Sequence, residues 1–161
     1  MIRNAPLRQL RATQGAVYVE YLIALLPVLF SAFVVWQLLE LWMGELMVKR
    51  AASVAVRAAA VVLPDDPAFY DGAPVHQFVG LRKTDVELSA ALVLAASAQF
   101  VQKPKVTVTI SPSENYVTAR VTAPFECLLG GLGLVCGGTR RPLTAAATYP
   151  YQGAQYVYTD E

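Results

Sequence analysis

The chain has 161 residues, 55% of them hydrophobic and only 16% charged, with a net charge of +1. That length suits one membrane segment plus one small domain, and the near-neutral balance, with no basic stripe or base-stacking motif, argues against nucleic acid as a partner. Two cysteines, Cys127 and Cys136, and a single histidine, His76, make a poor zinc site, which wants four ligands in paired spacing.

The N-terminus is a short basic leader containing Arg3, Arg8 and Arg11. It meets a long apolar stretch at Thr13–Tyr21, T-Q-G-A-V-Y-V-E-Y, in which Gly15 is the last small residue before the junction and Glu20 and Tyr21 follow it by five and six places. A carboxylate at the mouth of a membrane helix is costly and asks for a reason. From Tyr21 to Leu39 the only strongly polar residue is Gln37. At ~1.5 Å per residue that run spans roughly 28 Å, close to the thickness of a bilayer core. Tyr18 and Tyr21 stand at one end, Trp36 and Trp42 at the other, the aromatic-belt pattern of a spanning helix. The run is too long for the apolar core of an ordinary secretory signal, and no A-x-A site follows it. Cations flank it evenly, Lys49, Arg50 and Arg57 balancing the leader arginines, so charge alone does not orient it. The long C-terminal part and its cysteine pair favour an oxidising compartment, which puts the N-terminus in the cytoplasm and the rest outside.

Helical patterning continues beyond the apolar run. Leu41–Val62 contains no proline, and Leu46, Ala51, Val54, Ala58 and Val61 recur near the helical period. Abundant alanine allows neighbours to approach closely. Pro64, Asp65 and Asp66 end the pattern. One helix is expected from about Ala16 to Leu63, roughly 70 Å long at ~1.5 Å per residue. Pro27 lies inside it, cannot donate to the carbonyl of Ile23, and should bend or loosen the helix there.

Residues 64–83 read as a loop, with His76 as a surface residue in it. Thr84-Asp85-Val86-Glu87 reads as a capping box opening a second helix through Val101. Its stripes Leu88–Leu92–Ala95–Gln99 and Val86–Ala90–Val93–Phe100 predict a broad, mostly buried face. Lys105–Ile110 and Tyr116–Ala123 alternate with period two across the turn Ser111–Asn115, an antiparallel hairpin with Val117, Ala119, Val121 and Ala123 inward. Leu143–Tyr149 would add a third strand. Cys127 and Cys136 bound a glycine- and leucine-rich loop, and a disulfide closing it would contribute ~2–3 kcal/mol. Its leucines either fold under that staple or meet lipid headgroups or a partner. Tyr149, Tyr151, Tyr156 and Tyr158 crowd the tail and suit either a contact surface or edge packing. The expected fold is α+β: a long N-terminal transmembrane helix continuing outward, and a second helix packed on a small three-stranded antiparallel sheet. Its divisions are 1–15 leader, 16–63 membrane and assembly helix, 64–83 loop and 84–161 outer head.

Gly15, four residues, then Glu20-Tyr21 at the start of an apolar helix resembles the processing site of type IV pilin-like precursors, and the Glu-Tyr pair resembles the Flp/Tad branch. The whole arrangement resembles the TadE-like minor pseudopilins, with no marker that separates them from TadF-like relatives. Major Flp pilins are much shorter. The resemblance implies cleavage between Gly15 and Ala16 by a prepilin peptidase. It implies that Glu20 neutralises the new terminus of a neighbouring subunit, where simple hydration at headgroup level is the plainer reading. Pro27 is then either an ordinary membrane proline or a point of local melting as subunits leave the bilayer. The implied partners are major and minor pilin subunits, the inner-membrane assembly platform and membrane lipid. The implied location is the cytoplasmic membrane, single-pass with the C-terminal domain outside, and the filament itself. No cofactor is implied. A type II secretion pseudopilin shares the leader logic, although Ala16 is not the usual aromatic first residue. A membrane-tethered binding domain is the third reading. No nucleophile–base pair, metal cluster or phosphate loop points to an enzyme.

Overall fold

The computed structural model describes residues 6–100, 102–111, 115–127 and 136–151, with residues 6–16 described by their backbone only. The chain divides into two units, Met1–Leu39 and Glu40–Glu161.

The elements are α1 (Pro6–Val62), a 3-10 turn (Pro67–Tyr70), α2 (Gly80–Leu94), and strands β1 (Lys105–Ser111), β2 (Tyr116–Glu126) and β3 (Arg140–Pro150). The α+β class expected from the pattern is what the chain adopts. The first helix begins earlier than expected, at Pro6 instead of Ala16. A proline at the first helical position costs nothing, since its missing N–H would have had no helical partner. The helix also passes through Pro27 without interruption.

In the first unit α1 presents apolar side chains to its surroundings on every side. Val17, Ile23, Leu26, Val28 and Phe33 are all more than half exposed. An eighteen-residue window reaches a mean hydropathy of 2.3 with 6% of it buried. This helix is long and apolar enough to cross a membrane.

In the second unit the part of α1 from Glu40 onward is one wall of the core. Its buried positions are Leu41, Val48, Ala51, Ala52, Ala55, Val56, Ala59 and Leu63. Leu46 and Val61, two of the apolar positions that recur near the helical period, are 61% and 67% exposed. The face that turns inward is rich in small residues, Gly44 and four alanines among them. At Gly44 the approach of β2 and β3 side chains is close. A Cβ there would stand 2.8 Å from the Phe125 ring and 3.1 Å from Leu143 Cδ1.

The sheet is an antiparallel meander in the order β1-β2-β3. Val106 pairs with Val121, and Val121 with Ala145; Ala123 pairs with Leu143. Period-two alternation buries Val117, Ala119, Val121, Ala123 and Phe125 on one face of β2. The other face carries threonines, and Thr122 and Thr144 hydrogen-bond across it at 3.0 Å. Residues 112–114 of the expected turn lie outside the described residues, and Asn115 adopts a left-handed φ of 51°.

The second helix differs from expectation at both ends. It starts at Gly80, not Thr84, and ends at Leu94, not Val101. No side chain caps it. Thr84 lies inside the helix, and its hydroxyl donates back to the Gly80 carbonyl at 3.3 Å, so the capping box does not form. Gly80 supplies a φ of +58° that admits the helix from the preceding loop. At the other end the chain turns through Ser97 N–H to Leu94 O and Phe100 N–H to Ser97 O. Those turns bring Phe100 edge-on to Phe125, with ring centroids 5.6 Å apart. Of the two predicted α2 stripes, one is buried at Val86, Ala90 and Phe100, joined by Leu94, which lay in neither; in the other, Leu88 and Leu92 are 55% and 66% exposed.

Nor is 64–83 simply a loop. Asp66 accepts from Ala68 N–H at 2.9 Å and caps the 3-10 turn, with Pro67 at its first position. Arg82, fully buried, closes the end of α1. Its guanidinium donates to the carbonyls of Val62, Leu63 (3.4 Å), Asp65 (2.8 Å) and Ala73 (3.3 Å). It also stacks 4.3 Å from the centroid of Tyr70. A buried cation at a helix C-terminus meets the carbonyls left without helical donors and the negative end of the dipole.

Three substitutions test this packing by thermal unfolding of the intact chain in detergent. Gly44→Val should destabilise by about 1–3 kcal/mol through overpacking against Phe125, while Leu46→Ala, on the open side of the same helix, should change stability by less than about 0.5 kcal/mol. Arg82→Met should cost about 3 kcal/mol or more, because several buried carbonyls lose a charged donor at once.

Candidate functional site

Gly15 and Ala16 lie in the helical backbone of α1. Glu20 and Tyr21, further along the same helix, are both exposed, Tyr21 by 62%. Glu20 is surrounded in sequence by exposed apolar residues, namely Val17, Tyr18, Val19, Leu22 and Ile23. At ~100° per residue Glu20 and Pro27 fall on the same helix face. Near Pro27 the Ser31 hydroxyl donates to the Val28 carbonyl at 2.8 Å. The junction residues are therefore brought together only by their helix, on a surface that offers its apolar groups outward.

The second sequence-derived pair is a disulfide. Cys127 and Cys136 are bonded, with their Cα atoms 6.5 Å apart and a sequence separation of 9. Two contacts hold the bridge to the sheet. Cys127 N–H donates to the Thr139 carbonyl at 3.0 Å, and Arg140 binds the Glu126 carboxylate at 2.9 Å on the adjoining rung. The leucines between the cysteines, residues 128–135, lie outside the described residues.

His76 is exposed, as a loop residue should be, but it is not idle. Its Nδ1 hydrogen-bonds the Tyr151 hydroxyl, and the rings meet edge-on with centroids 5.8 Å apart. His76 N–H also donates to the Leu63 carbonyl at 2.8 Å. The loop after α1 is thus fastened to the end of β3, where Tyr151 N–H donates to Asn115 O. Burial raises the Tyr151 phenol above its ordinary pKa, with Arg82 opposing the shift. Tyr70 is raised by burial and by its hydrogen bond to Asp65. Of the tail tyrosines, Tyr151 is packed and Tyr149 is 42% exposed; Tyr156 and Tyr158 lie outside the described residues.

Arg82 and the His76–Tyr151 contact were not legible in the sequence. Both join residues far apart in the chain, and neither sits in a motif. Among the described residues no group of three or more His, Cys, Asp or Glu side chains could hold a metal ion.

Reducing the disulfide should lower the stability of the second unit by about 2–3 kcal/mol on the chain-entropy estimate for so short a loop. The check is thermal unfolding with and without reductant, and a Cys127→Ser/Cys136→Ser variant should match the reduced protein.

Compared with known protein families, curated proteins and solved structures, the chain matches none.

Proposed function

We propose that this chain is a minor pseudopilin, a structural or accessory subunit of a Tad/Flp-type pilus. It is made as a precursor, cut after Gly15 by a prepilin peptidase, and held in the cytoplasmic membrane by α1 with the unit from Glu40 onward outside. It acts in pilus assembly or adhesion and carries no chemistry of its own. The observation that supports this reading is the Gly15–Glu20–Tyr21 spacing at the mouth of a helix whose apolar side chains are exposed all round. A helix apolar on every side needs lipid or other helices around it. Pilus assembly supplies both in turn, as a subunit passes from bilayer to filament bundle.

Glu20 has a defined part in this scheme. Cleavage gives Ala16 a free α-amine four residues before it, and a carboxylate entering an apolar bundle is tolerable when a positive charge offsets its desolvation. The exposed α2 stripe, Leu81, Leu88 and Leu92, offers a surface for neighbouring pilin subunits or the assembly platform.

The test is the N-terminal sequence of the protein recovered from its native membranes. An N-terminus at Ala16 is expected. Glu20→Ala should still be cleaved but should be lost from sheared filaments. An intact leader would reject the pseudopilin reading and leave a tethered outer domain.

A further inference from the structure

The outer unit is electrically polarised along the direction of α1. Gly44 lies against Phe125 and Leu143, so the early part of this unit's helix is level with the end of β2 and the start of β3. Glu40, its first residue, lines an open hollow with Gln99, Glu126 and Cys127. The chain entering β1 passes this same end, because Glu126 N–H donates to the Gln99 carbonyl. Here lie the exposed cations Lys49, Lys103, Lys105, Arg140 and Arg141. They outnumber the acids of the same end. Those acids are Glu40, Glu45 and Glu126; Glu126 is engaged by Arg140, and Glu45 lines a hollow with Lys49 and Arg141.

The opposite end has the reverse sign. At the C-terminus of α1 and the start of α2 stand Asp65, Asp66, Asp71 and Asp85. The cations there are Arg57, exposed near the end of α1, Arg82, which is buried on backbone carbonyls, and Lys83, paired with Glu87. The basic end is also where the chain joins the apolar run, since Glu40 is the first charged residue after Tyr21–Leu39.

We propose that the basic end of the outer unit is a docking surface for anionic phospholipid headgroups. Lys103, Lys105, Arg140 and Arg141 settle on the outer leaflet and hold the unit down on the membrane, with its acidic end facing away. Charge complementarity selects the occupant, because clustered Lys and Arg beside a membrane segment are drawn to anionic lipid while an acidic pole is repelled. This inference rests on the membrane anchor of the proposed function and not on pilus membership.

The full chain is reconstituted into vesicles of neutral phosphatidylcholine, or of the same lipid with phosphatidylglycerol, and its lysines are footprinted with an amine-reactive reagent. Labelling of Lys103 and Lys105 is read as a ratio to Lys83 in the same molecules, which cancels insertion direction. That ratio should fall about fivefold in the anionic vesicles and recover in high salt, where screening shortens the reach of surface charge. An Arg140→Gln/Arg141→Gln variant should lose much of the protection. Equal ratios in both vesicles would overturn the docking surface while leaving the anchor standing. A chain that alkaline washing strips from both vesicle types would overturn the anchor, and the docking surface with it.

Discussion

The second unit depends on small residues at the centre of its core. α1 buries Gly44, Ala51, Ala52, Ala55 and Ala59 in the same core that holds Val117, Ala119, Val121 and Ala123 of β2. At Gly44 a Cβ would stand 2.8 Å from the Phe125 ring, and an interior packed that tightly excludes water without bulky side chains. The larger groups gather at the margins, where Phe125 and Phe100 meet edge-on and Leu63 and Leu94 close the layer.

Close packing of a long helix leaves its C-terminus a difficulty, for the last carbonyls need donors in a place that water does not reach. Arg82 resolves it from another helix, donating to the carbonyls of Val62, Leu63 and Asp65. The His76–Tyr151 contact then ties the connecting segment to the far end of β3. These interactions explain why residues 64–83 are ordered despite their prolines and glycines. They also explain why α2 starts ahead of the threonine that local sequence marks as its cap.

What the outer unit buries differs in kind from what the first unit exposes. From Tyr21 to Leu39 the helix is apolar around most of its circumference, and Glu20 stands at its mouth. Past Glu40 the same helix is amphipathic, with Lys49, Arg50 and Arg57 on its open side. The change of pattern happens where an apolar surrounding would give way to water. Within the second unit, exposed cations gather around Glu40 and the end of β2, and carboxylates around the C-terminus of α1 and the start of α2.

Much of this was legible beforehand, because it rests on local periodicity. An unbroken apolar run, strict alternation in β1 and β2, and two cysteines bounding one short loop each follow from neighbours in sequence, and the helix, the meander and the disulfide are all present. The choice of buried face was not legible. Leu46, Val61, Leu88 and Leu92 are as hydrophobic as the residues that were buried in their place, and periodicity cannot say which of two apolar stripes turns inward. That choice is made by contacts between segments far apart in the chain, such as Gly44 against Phe125 and Leu143. The ends of α2 were misjudged for a related reason, since Arg82 and Phe100 gain more from distant partners than Thr84 gains from its local cap. Sequence by itself thus determined the elements and their order, through interactions a few residues long. Tertiary structure alone decided which faces met and how the helix ends were closed, because those energies are realised only between segments far apart in the chain.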